Sequence, residues 1–139
     1  MKKSVFAVAL ALMATFAGSA SAEQVLFTKA ASKSGASVAI DYVSDGKAVG
    51  LQLEIGIPGK AQIDLSRFAK DLPKGFTVEH NVVGGKLIAL IVNDRSLPLP
   101  AGILSLGSIR SVGGSGEFTL DRIESVDANA QALNVETVQ

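Results

Sequence analysis

An all-β fold, with two antiparallel sheets packed face to face, is predicted by three observations. Apolar residues recur at every second position over most of the chain, whereas helical spacing is rare. Turn signals built from Gly, Pro, Asn and Asp follow one another at the short, regular spacing typical of sandwiches. The apolar supply is aliphatic and β-branched, with aromatic residues at only 5% and no Trp, which suits pleated surfaces that interdigitate. Seven to nine strands are expected.

Residues 1–22 precede this pattern and differ from it. Lys2 and Lys3 are followed by an apolar run from Val5 to Phe16, broken only by Thr15, and then by Gly18, Ser19 and Ala20-Ser21-Ala22. That order is the layout of a cleavable secretory signal peptide. The run is too short to span a bilayer, which takes about 20 apolar residues. No cysteine occurs anywhere, so neither a lipid anchor after Ala22 nor a disulfide is available. Removal of 1–22 leaves 117 of the 139 residues, enough for one domain, 23–139, with a core of its own. Residues 23–35 and 131–139 are expected to be its loosest parts. The protein is expected in the periplasm or outside the cell, with no membrane span after cleavage.

Within the domain, Val38, Ile40 and Tyr42 alternate with Ala39 and Asp41, a half-buried strand closed by the turn Ser44-Asp45-Gly46-Lys47. Val49, Leu51, Leu53, Ile55 and Ile57 form the longest strict alternation, with Gly50, Gln52, Glu54 and Gly56 on its other face. Pro58-Gly59 ends it. Ile63, Leu65, Phe68 and Leu72 fit either a helical turn or two, or a strand and a loop. After Pro73-Lys74-Gly75, the residues Phe76, Val78, His80 and Val82 alternate with Thr77, Glu79 and Asn81. Gly84-Gly85 then joins this run to Leu87–Val92 as a tight hairpin. Asn93–Pro100 is a loop stiffened by Pro98 and Pro100. Ile103–Ile109 is a further apolar run with Gly and Ser interleaved, and Gly113-Gly114-Ser115-Gly116 is a turn. Phe118, Leu120 and Ile123 open another strand, with Val126 beyond an irregularity; the polar segment after Ala130 suits one edge strand or a frayed end.

Charge and chemistry exclude several classes. Without Lys2 and Lys3, the domain has 11 Lys and Arg against 13 Asp and Glu, with no basic cluster for nucleic acid. His80 is the only histidine, and its register puts it at the margin of the apolar face, satisfied by a hydrogen bond. Nucleophilic catalysis needs a base beside a nucleophile, and no Gly-x-Ser-x-Gly elbow is present. One His and no Cys leave no zinc set. The carboxylates Asp41, Glu54, Glu79, Asp121 and Glu124 lie in or beside strands with nothing to select a pair for glycoside cleavage. Asp127-Ala128-Asn129 resembles the start of a calcium loop, but the sixth place is Ala132 and Glu136 falls at the tenth. A turn in which Asp and Asn bond their own backbone explains the same residues. No cofactor is expected.

The order of elements resembles the cohesin family, within a wider group that includes carbohydrate-binding modules. The similar features are Val49-Gly50-Leu51-Gln52-Leu53-Glu54-Ile55, the hairpin Phe76–Val92 with Gly84-Gly85-Lys86 at its tip, Gly102-Ile103-Leu104-Ser105-Leu106, and Phe118-Thr119-Leu120 before Val126-Asp127-Ala128-Asn129. The resemblance covers about residues 36–130 and implies a jelly-roll sandwich that binds partner modules. This chain has Ile57-Pro58-Gly59 and Ile63-Asp64-Leu65 where the family usually places Asp-Pro, so no contact residues carry over.

The expected function is therefore an exported, non-catalytic recognition domain for a protein partner, met through Gln52, Glu54, Asp94, Arg95 and the loop to Pro100. Polysaccharide binding is the alternative, and Phe68 is the aromatic expected to be exposed for it. An exported hydrolase inhibitor is a further alternative.

Overall fold

The computed structural model describes residues 23–139 except Lys33 and Lys60; the expected signal peptide, 1–22, lies outside the described residues. Their strands run in chain order as β1 (Glu23–Ser32), β2 (Gly35–Ser44), β3 (Gly50–Gly56), β4 (Gln62–Asp64), β5 (Phe76–Val83), β6 (Lys86–Asn93), β7 (Gly102–Val112), β8 (Thr119–Val126), β9 (Ala132–Leu133) and β10 (Val135–Val138). One sheet has the order β10-β1-β2-β7-β4 and the other β5-β6-β3-β8-β9. Ten strands thus exceed the expected seven to nine, and the chain end holds two short strands, β9 and β10, where one edge strand or a frayed end was expected. All pairs are antiparallel except β1 with β10.

Alternation does the work of burial. Along β2, Val38, Ile40 and Tyr42 are buried; along β3, Leu51, Leu53 and Ile55; along β6, Leu87, Ala89 and Ile91. These inward sets meet Val25 and Phe27 from β1, Leu106 and Ile109 from β7, and Phe118 in one core. Side chains of period two can fill such a layer only while register holds, because a one-residue slip turns each set outward. Within 23–35 and 131–139, the described residues include β1, the start of β2, β9 and β10. β1 is paired along its length with β2, and Glu23 to Leu26 also pair with Val135 to Val138. Only Val25, Leu26 and Phe27 are strongly apolar in β1, too short a run to show alternation, and tertiary pairing completes the strand.

Two irregularities matter. Gly84 and Gly85 take φ of 58° and 78°, the left-handed pair that a two-residue hairpin turn requires. On β7 the register with β2 shifts between Ala39 and Asp41. At that bulge Gly107 has φ of 84°, and a Cβ there would overlap the carbonyl oxygen of Arg67. The absent side chain lets residues 67–69 lie against β7, with Ser108 N–H donating to Arg67 O at 3.1 Å and Ala69 N–H to Leu106 O at 2.8 Å. Among the described residues, the stretch from Ile63 to Leu72 that fitted either a helix or a strand and loop therefore resolves into the short strand β4 and a turn, without a helix.

Candidate functional site

The central strand of the second sheet, β3, lies between β6 and β8. Its inward residues fix the direction of its outward ones, Gly50, Gln52, Glu54 and Gly56. Register sets Val92, Leu90, Ile88 and Lys86 of β6 beside them in that order. On the other side stand Val126, Glu124 and Arg122 of β8, with Thr119 beside Gly56 after a register shift. The outer face thus has an aliphatic column on β6, a small and polar column on β3, and a charged column on β8.

The aliphatic column is the physical anomaly. β6 reads Leu87-Ile88-Ala89-Leu90-Ile91-Val92, apolar on both faces. Such a run is expected where both faces of a strand are covered. Here Leu87, Ala89 and Ile91 are buried, but Leu90 is 37% exposed and Ile88 and Val92 are half-buried. Val126, 36% exposed, lies across Gly50 from Val92. The other sheet is different at its centre, where Ser37, Ala39, Asp41, Ser105 and Ser108 face out; its outward apolar residues are Leu26, Val43 and Ile103 toward one end and Val112 at the other.

Beside the aliphatic column runs an ion network. Lys86 Nζ lies 3.8 Å from Glu54 and 3.5 Å from Asp121, and Arg122 lies 3.6 Å from Glu54 and 2.8 Å from Glu124. The hydrogen bond to Glu124 holds the Arg122 guanidinium above its ordinary pKa, aided by the Glu124 and Glu54 charges. Gln52 Nε2 reaches Glu54 Oε2 at 3.5 Å. Two of the expected site residues, Gln52 and Glu54, therefore share this face. Asp94 and Arg95 do not join the network: they follow β6 in a turn, where Arg95 N–H donates to Asn93 Oδ1 at 2.8 Å.

Phe68 corrects the expectation of exposure. It is only 5% exposed and belongs to the core, because its backbone is bridged to Gly107 of β7. Tyr42 is fully buried and Phe76 packs against the core, so none of these three offers a flat ring to a sugar. His80 departs in the other direction. It is exposed, because β5 is the edge strand of its sheet and lies outside the cover that buries its β6 neighbour Ala89.

One polar cluster was not legible in the sequence. Glu23, the first residue of β1, is 1% exposed, and its carboxylate accepts from Tyr42 Oη of β2 and from Ser125 Oγ of β8 at 2.8 Å. Asp45 N–H reaches its other oxygen at 3.4 Å. Tyr42 and Ser125 are themselves 3.1 Å apart, so the cluster pins one sheet to the other. Burial, with the Asp45 carboxylate alongside, raises the Glu23 pKa from 4.5 to about 7. Nearby, Gln24 Oε1 is buried without a hydrogen-bond partner.

Asp127 Oδ1 accepts from the N–H groups of Asn129 and Gln131 at 2.9 and 3.0 Å, a backbone-bonded turn. Among the described residues no group of three or more His, Cys, Asp or Glu side chains is gathered. Nor is any helix there long and apolar enough to cross a membrane.

No protein-family model matches the chain, and no curated protein matches it. Solved structures do. A non-cellulosomal cohesin from the hyperthermophilic archaeon Archaeoglobus fulgidus is similar with a TM-score of 0.65 at 17% identity, over 84% of this chain and 86% of that one. Type II cohesin A11 from Bacteroides cellulosolvens gives 0.55 at 12% identity, over 84% and 95%. A type II cohesin domain from the cellulosome of Acetivibrio cellulolyticus gives 0.55 at 8%, over 86% and 93%. At these identities the likeness is one of architecture: the chain has a cohesin-like β-sandwich fold.

Proposed function

We propose that this chain is an exported, non-catalytic recognition module that docks a protein partner on the outer face of the β5-β6-β3-β8-β9 sheet. The observation that carries this reading is the aliphatic column Ile88, Leu90 and Val92, left open on a strand that is apolar on both faces. Contiguous exposed apolar surface rimmed by charge is the composition of a protein-binding patch. Gly50 and Gly56 keep the middle of the face low, and the packed core beneath holds it rigid, which reduces ordering cost on association. The signal-like segment 1–22 supports export, and the likeness to cohesin modules supports a protein as the ligand class.

Two observations favour this over catalysis and over polysaccharide binding. Glu23, the carboxyl most displaced in pKa, is enclosed between the sheets where no substrate reaches it. Among the described residues Phe27, Tyr42, Phe68 and Phe118 are buried and Phe76 is half-buried against the core, which leaves little ring surface for a sugar to stack on.

The test compares the native protein with Leu90→Glu as bait in cross-linking capture from periplasmic and secreted fractions, alongside a polysaccharide panel. A protein captured by the native bait and lost with Leu90→Glu, at an unchanged circular dichroism spectrum, is the expected result. Capture indifferent to Leu90, no capture, or tight polysaccharide binding overturns the reading.

A further inference from the structure

A β-sandwich has four free sheet edges, and natural proteins keep such edges short, charged or covered because an open edge templates pairing with another chain. Three edges of this sandwich follow that rule. β4, β9 and β10 have only three, two and four residues. The fourth, β5, has eight residues and contains neither Pro nor Lys. Its outer side is open: the Phe76 N–H turns back to Pro73 O at 3.0 Å, and among the described residues Thr77–Val83 make no backbone hydrogen bond outside the β5–β6 ladder. Val82 and Val83 are 49% and 54% exposed, on opposite faces of the hairpin.

The sequence of β5 also says what fits this edge. An antiparallel pair related by a two-fold axis must be centred on a residue that faces its own copy, since opposed residues share a face. Centring on Glu79 sets like charges opposite each other, which is unfavourable. Centring on Val78 leaves the exposed valines unpaired, and centring on Asn81 sets Val78 against a turn glycine. Centring on His80 places Val78 opposite Val82 of the second copy, Glu79 opposite Asn81, and Thr77 opposite Val83. The segment Val78-Glu79-His80-Asn81-Val82 is near-palindromic in character about His80, and both exposed valines gain a partner.

We propose that β5 is a self-pairing edge through which two copies of this chain join, antiparallel and centred on His80, into one continuous sheet across the dimer. A single strand pair buries less than the ~1,200 Å² of a standard interface, so the association is weak and reversible. It uses the edge of the sheet and leaves the aliphatic column free, so the dimer displays two recognition faces side by side. The inference stands whether or not those faces bind a protein.

The chain has no cysteine, so a single introduced thiol reports on the register. Opposed strand residues lie within disulfide reach, whereas residues several positions out of register do not. Sedimentation of the native protein is expected to show a concentration-dependent monomer–dimer equilibrium. His80→Cys is expected to form a disulfide-linked dimer under mild oxidation. Val82→Cys, equally accessible but opposite Val78, is expected to stay monomeric on non-reducing gels. Val82→Lys, at the solvent-exposed hairpin tip, abolishes the dimer without altering the circular dichroism spectrum. A native chain that remains monomeric into the high-micromolar range, or Val82→Cys cross-linking as readily as His80→Cys, overturns the proposal.

Discussion

The carboxyl of Glu23 makes stability fall with rising pH, opposite to the usual behaviour of a buried acid partnered by a cation. Its pKa is 4.5 in the unfolded chain and about 7 in the fold, so the native state binds the extra proton between those values. Stability is then fully present below pH 4.5 and is lost as pH rises through about 7, because the folded state must ionise a carboxyl enclosed with Asp45. Retaining a proton over that interval corresponds to about 3 kcal/mol. For a domain of this size that is a large share of a typical 5–15 kcal/mol, and about 10 °C in melting temperature. Urea titrations between about pH 5 and pH 8 on the native chain and on Glu23→Gln measure it directly. The amide keeps acceptors for Tyr42 and Ser125 and cannot ionise, so the variant should hold a nearly constant stability and overtake the native chain above neutrality. Processing after Ala22, as the sequence predicts, would put an α-ammonium on Glu23 itself and draw the carboxyl back down. The processed chain should therefore show the shallower slope of the two forms. A native stability that is flat or rising over this interval, or an equal slope in Glu23→Gln, would refute the account.

Other substitutions probe other parts of the argument. Gly107→Ala forces a Cβ into the Arg67 carbonyl at a positive φ, and calorimetry should record a loss of about 3 kcal/mol or more, with 67–69 detached and Phe68 exposed. Asp64 is held below its ordinary 3.8 by hydrogen bonds from Ser66 and by Arg110, so its contribution is present above that pH and is lost as acid takes the pH below it. Asp64→Asn should lower the neutral plateau of an unfolding profile and flatten its acid limb, so that the two profiles converge as the pH falls below that value. Gln24→Leu removes a buried, unpartnered oxygen and should raise stability by about 1 kcal/mol in denaturant titration.

Most of the architecture was legible because period two is a direct image of the pleat. Leu51, Leu53 and Ile55 specified a one-sided strand, and Gly84-Gly85 specified the hairpin turn between β5 and β6. What escaped was set by partners distant in sequence. Nothing near Phe68 announces its burial, which depends on a missing side chain at Gly107, far along the chain. Glu23 reads as an ordinary polar residue until β2 and β8 bring Tyr42 and Ser125 to it. His80 was in phase with core residues, but phase says nothing about where the opposite sheet stops. Of the face proposed for recognition, only the outward direction of Gln52 and Glu54 was legible. The stronger signal, six apolar residues in succession on β6, was visible in the sequence as a strand. Its outward side is seen to be open only once the sheet has a bare face.

The ion network beside that surface has a physical reading of its own. Exposed ion pairs add little to folding stability, since solvent screens them and side-chain entropy opposes them. Its role is better sought in association. In the proposed complex, Lys86 and Arg122 would offer cations to the partner, while Glu54, Asp121 and Glu124 would keep the face balanced and repel an acidic competitor, so that charge would select the partner and set the encounter rate. The aliphatic column supplies attraction without direction; the network supplies direction without much attraction. Leu90→Glu should accordingly weaken binding chiefly through faster dissociation, whereas Arg122→Ala, at the rim, should act through slower association and a weaker dependence on salt.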